Sequence, residues 1–168
     1  MRLVAFLIML TFSLAIGAQT VAEHEMKAAY LFNFARFTEW PANERANFNI
    51  CILGDEDLGR AMRKYEERRI SDQRVVIARL NSTTPIRQCN LLFVGAGELP
   101  NLPKINAQLG EMPVLTVTDR PAPVPVGIVL SLESERLVFD VNIEHTQKAK
   151  LKHHSSVLRL ARNIRKAS

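Results

Sequence analysis

The sequence predicts an α/β fold: a single domain on a mostly parallel sheet flanked by helices, with an edge hairpin and an amphipathic helix at the carboxyl end. Three observations carry that reading. Short apolar runs at residues 48–53, 74–79, 90–94 and 114–118 alternate with helical segments, the pattern of βαβ units whose sheet is covered on both faces. No Gly/Ser linker or repeat divides the chain, so residues 19–168 are read as one domain. Residues 133–135 are too short a connection between the runs 127–132 and 136–141 for anything but an antiparallel hairpin.

The elements follow in chain order. Arg2, the apolar run 3–16 and the small residues Gly17 and Ala18 read as a signal peptide over residues 1–18, cleaved after Gly17 or Ala18. The run is shorter than the roughly 20 residues that span a bilayer, so the mature chain is expected to be exported and not to span the membrane, with an uncleaved amino-terminal anchor or a buried first helix as the alternatives. Residues 21–40 hold neither Gly nor Pro, and Pro41 stops the run, which predicts a helix. Met26, Tyr30, Asn33, Phe37 and Trp40 share one face of it, whereas Leu31 and Phe32 project elsewhere. Phe37 and Trp40 are therefore expected in the core; the helix is either sandwiched within its own domain or also contacts another chain, in which case Leu31 or Phe32 makes that contact.

After the first strand, Gly54 and Asp55 turn the chain into a helix over residues 58–68; a strand, a Ser/Thr/Pro crossover and another strand follow. A helix is expected over 102–109, and Pro121, Pro123 and Pro125 make a stiff loop after the strand 114–118. Asn142 is suited to cap a helix over 144–150, and Ser155 one running to about residue 165. In the last of these Val157, Leu158, Leu160, Ala161 and Ile164 share one arc and Arg159, Arg162, Asn163, Arg165 and Lys166 the other. This predicts a docked helix with a basic outer face, Arg159 and Arg162 forming the rim of an interface.

Chemistry is sparse. The net charge of +5, from 22 Lys+Arg against 17 Asp+Glu, is modest for a nucleic-acid binder, and export removes such partners. Asp55, Glu56 and Asp57 at the strand-to-helix turn repel phosphate, and neither a dinucleotide fingerprint nor a P-loop pattern is present. The four histidines, His24, His145, His153 and His154, have no metal-ligand spacing, and no nucleophile elbow occurs. No catalytic residue, metal or cofactor is expected. Asp119 and Arg120 lie at a strand's carboxyl end, where α/β folds form ligand clefts; an ordinary turn ion pair is the alternative. Cys51 and Cys89, the only cysteines, fall on strands that neighbour each other in the common doubly wound order, so a disulfide is expected, with two buried thiols as the alternative.

One set of residues resembles a known family. Lys27 to Phe34 in the order KAAYLFNF, then Phe37, Glu39-Trp40-Pro41, Ile50-Cys51-Ile52-Leu53-Gly54-Asp55, Cys89 ahead of Leu91-Leu92-Phe93, Leu115 to Asp119, and Phe139-Asp140-Val141-Asn142 are similar to the YfiR-like family of periplasmic regulatory proteins. The resemblance runs from about Glu23 to the final helix. It implies a non-catalytic protein that binds the periplasmic sensory domain of a membrane diguanylate cyclase and holds it inactive, lowering cyclic di-GMP and biofilm formation, with a homodimer as a further expectation. The best-known member has a second cysteine pair that this chain lacks. The other reading left open is a periplasmic small-molecule-binding sensory module.

Overall fold

A computed structural model describes residues 13–42 and 45–166. The expected signal segment lies for the most part outside them. Helix α1 (Ser13–Arg36) is followed by β1 (Thr38–Glu39), β2 (Asn47–Leu53), α2 (Glu56–Met62), β3 (Arg69–Ile70), β4 (Gln73–Leu80), β5 (Leu91–Val94), α3 (Leu102–Leu109) and β6 (Leu115–Thr118). The carboxyl third adds β7 (Ile128–Glu133), β8 (Arg136–Asn142), α4 (Ile143–Lys148), β9 (Lys152–His153), α5 (Ser155–Leu160) and β10 (Asn163–Arg165).

Eight strands form one mixed sheet in the order β10-β8-β7-β6-β5-β2-β4-β3, and β1 pairs with β9 in a separate two-stranded clip. The strands β4, β2, β5, β6 and β7 run parallel, and β7 and β8 form the predicted hairpin. Its loop is two residues, Ser134 and Glu135, both at positive φ (47° and 63°), the turn whose twist suits a tight hairpin.

The two-residue period of the strands sorts their apolar side chains between two cores. Phe48, Ile50 and Ile52 of β2 with Leu91 and Phe93 of β5 meet Ala28, Leu31 and Phe34 of α1 on one face. Cys51, Leu53, Leu92 and Val94 point to the other face, where Ile86 and Leu102, Ile105 and Leu109 of α3 cover them. α2 begins at Asp55, whose Oδ1 accepts from the Leu58 N–H at 2.9 Å, and Glu56 and Asp57 favour the helix start electrostatically.

Three helix ends differ from expectation, the first being that of α2, which stops at Met62 and passes through a 3-10 turn over Arg63–Tyr65, not continuing to residue 68. α1 stops at Arg36, four residues before Trp40, because side chains beyond it take over its last carbonyls: Thr38 Oγ1 donates to Phe34 O at 2.7 Å and Trp40 Nε1 to Ala35 O at 3.0 Å. The final helix ends at Leu160, not near residue 165. There the Arg162 N–H donates to the Phe139 carbonyl at 2.8 Å, and Asn163–Arg165 becomes an edge strand parallel to β8. The predicted apolar arc is therefore broken: Val157 is buried, whereas Leu160 is 77% and Ile164 38% exposed. Ser155 is not the cap of α5; the preceding His154 is, its Nδ1 accepting from the Ser156 N–H. Asn142 caps α4 as expected, its Oδ1 accepting from the His145 N–H at 3.0 Å.

Candidate functional site

α1 crosses one face of the sheet, and its His24–Lys27 stretch reaches the carboxyl ends of β2 and β6, where this class of sheet usually takes its ligand. Lys27 of α1 donates to Asp119 Oδ2, just past β6, and reaches Glu23 one turn earlier, each at 2.7 Å. Burial works against the Lys27 charge, but hydrogen bonds to Asp119 and Glu23, reinforced by their charges, outweigh it and raise its pKa. His24 approaches Asp55 at 3.6 Å. Behind them, a Cβ on Gly95 would sit 2.5 Å from the Gly54 carbonyl oxygen, so the turns after β2 and β5 pack backbone to backbone. Gly54 itself has φ +77°, which a residue with a side chain rarely adopts. Asp119 is thus occupied by a buried cation. In the sequence Lys27 stands only as the first residue of the KAAYLFNF motif, one turn after Glu23; its second partner, Asp119, is 92 residues away and not announced by spacing.

On α1, the expected contact residues separate. Leu31 is 0% exposed and packs in the core, so a partner does not reach it; that expectation is corrected. Phe32 is half-buried and stacks on Tyr65 with ring centroids 4.5 Å apart. Phe37 and Trp40 flank the core instead of lying inside it: both are half-buried, and Trp40 sits edge-on to Phe48 at 5.0 Å. Pro41 follows Trp40 and is half-buried.

The carboxyl surface is organised by Arg162, which is not a free rim cation. Its guanidinium grips the Asp140 carboxylate through Nε at 2.9 Å and through Nη2, and its Nη1 pairs with Glu133. The Arg162 hydrogen bond holds the Asp140 carboxyl below its ordinary pKa, with a further hydrogen bond from Asn163. Arg162 therefore clasps β10 to the β7–β8 hairpin, while Arg159 remains exposed. Beside the clasp, Pro121, Pro123 and Pro125 together with Val129, Asp140 and Arg165 line a cleft of about 470 Å³.

Cys51 and Cys89 are joined by a disulfide, with Cα atoms 5.8 Å apart, inside the second core. Among the histidines, His153 is buried. Thr38 Oγ1 gives its proton to Phe34 O, so the His153 Nδ1–H donates to Thr38 Oγ1 at 3.0 Å. Nε2 is then a bare lone pair with no partner among the described residues. Burial pushes the His153 pKa down to about 4. His145, near Thr116 Oγ1 at 3.3 Å, is also lowered by burial. Among the described residues no group of three or more His, Cys, Asp or Glu is placed to hold a metal, and no helix is long and apolar enough to cross a membrane.

A protein-family model described as YfiR/HmsC-like matches residues 24–162, from the histidine beside Asp55 to the arginine of the carboxyl clasp.

Proposed function

The chain belongs to the YfiR/HmsC-like family, a family of periplasmic regulators, and we propose that it binds the periplasmic sensory domain of a membrane diguanylate cyclase and represses it, lowering cyclic di-GMP and biofilm formation. The family match over residues 24–162 carries this reading. The disulfide agrees with an oxidising compartment, and we infer export with cleavage of residues 1–18. A repressor of this kind acts only through its higher affinity for the inactive form of its target. Phe32 and Arg159 are assigned to contact surfaces on this reading, and a homodimer, where it forms, is assigned to the Phe32 side of the molecule.

Deleting the gene in its host should raise cyclic di-GMP, and restoring it should lower the level again. An unchanged level while the cyclase is expressed overturns the proposal. The cleft under the three prolines favours, second, a small-molecule sensor, which a ligand-induced rise in the melting temperature of the purified chain would support.

A further inference from the structure

β10 is the last strand of the eight-stranded sheet, and its outer edge has no strand against it among the described residues. Such an edge presents backbone donors and acceptors ready to pair with another chain. Here the edge is held in place before any partner arrives. Its inner side pairs with Asp140, Val141 and Asn142 of β8, and Arg162 and Asn163 both bond to Asp140, the latter at 2.9 Å. Little ordering remains to be done on binding. Leu160, 77% exposed, and Ile164, 38% exposed, stand beside it.

Charge selects the occupant. Residues 145–168 contain seven of the 22 Lys+Arg and none of the 17 Asp+Glu, so the positive charge of the whole chain resides in its last segment. Arg162 is neutralised by its carboxylates, whereas Arg159, Arg165 and Lys166 are exposed. Edge-to-edge pairing of two copies would crowd these cations together, and like charges on paired strands are destabilising. The opposite edge offers no such selection, because β3 is two residues long and stands among Glu66, Glu67 and Asp72 as well as Arg68 and Arg69.

We propose that the outer edge of β10 binds an extended, acidic segment of the partner protein as an added strand, with Arg159, Arg165 and Lys166 reading its carboxylates. This rests on the reading that the protein acts by binding another protein, and it names the mode and chemistry of that contact. Charge steers the encounter, and the backbone pairing and the apolar side chains Leu160 and Ile164 supply the hold.

The test is photo-crosslinking in the native host with benzoylphenylalanine at position 164 of the full chain, and at position 69 on the opposite edge as control. Circular dichroism and the unfolding midpoint establish that each variant is folded. The proposal expects a protein adduct from position 164 and none from 69, with the crosslinked peptide rich in Asp and Glu. Arg165→Glu/Lys166→Glu should reduce the yield roughly tenfold. A crosslink to a second copy of this chain, an adduct with lipid, a peptide without excess acid, or no adduct at 164 overturns it. If the captured acidic segment belongs to a protein that is not a cyclase, the strand-addition proposal stands and the cyclase reading falls. If a cyclase is repressed but is captured only from elsewhere on the surface, the edge proposal falls alone.

Discussion

Replacing Lys27 with Met should destabilise the fold by about 3 kcal/mol, at the low end of the 3–5 kcal/mol that follows from removing one partner of a buried ion pair. The Lys27 side chain is 8% exposed and that of Asp119 12%, so little water screens the pair. Without the ammonium, the Asp119 carboxylate is left buried with no cation beside it, and its Oδ1 already has no hydrogen-bond partner among the described residues. Glu23, 30% exposed, recovers water on losing its contact and adds little. Such a loss is a large part of the 5–15 kcal/mol by which domains are usually stable. Lys27→Met/Asp119→Leu should recover most of it, since a buried pair replaced by packed apolar groups is often neutral. The assay is urea unfolding followed by Trp40, the only tryptophan, at all four corners of the double-mutant cycle. The raised Lys27 pKa fixes the pH dependence: the contribution is complete below the ordinary lysine value of 10.5 and fades as pH rises through the folded value above it. A cost below about 1 kcal/mol for Lys27→Met at pH 7, the size of an exposed pair, would refute the argument.

Three further outcomes are expected. Cys89→Ser should lower stability by about 4 kcal/mol in the chain-entropy model for a separation of 38 residues, read from the denaturant midpoint; two free thiols in the unreduced, unfolded protein would contradict the bridge. His153, with its pKa lowered from 6.5 to about 4, should cost roughly 3 kcal/mol of stability as pH falls from 6.5 towards 4, because the unfolded chain takes up the proton first; in His153→Phe that part of the pH profile should flatten. Gly95→Ala should be strongly destabilising because the new methyl meets the Gly54 carbonyl, whereas Gly97→Ala, with nothing within 4 Å, should leave the melting temperature nearly unchanged.

The parallel sheet was legible because fully buried strands read as unbroken apolar runs, and residues 102–109 of α3 were read with the bounds the structure has. Asn142 announced its capping role by residue type and position, whereas Asp55 was legible only as part of the turn into α2 that it also caps. What stayed hidden depends on partners distant in sequence. The end of α1 is set by Thr38 and Trp40 folding back, and β1 exists only because β9 lies beside it, neither of which periodicity encodes. The last helix was overextended because residues 155–165 do carry a helical pattern, which the pull of Asp140 and Glu133 on Arg162 overrides. Periodicity alone could not separate Leu31 from Phe32 or a contact from burial within the domain; for Leu31 it is its own domain that covers it. The basic carboxyl segment was visible in the sequence, but only as one face of a helix that ends too early to present it.

The clip between β1 and β9 also governs timing. Thr38 faces His153, and the His154 N–H donates to the Phe37 carbonyl, joining positions more than a hundred residues apart. The neighbouring Tyr30 hydroxyl donates to the Leu137 carbonyl across a similar span. Contacts of such long sequence separation are slow to form, because the loop they close is costly in entropy until other contacts reward it. For a chain delivered amino terminus first, from a ribosome or through a pore, the strands around the Cys51–Cys89 bridge are complete long before residue 153 arrives. The disulfide region is then first to settle, and the α1 seam is last to shut, waiting for the strand that carries His153.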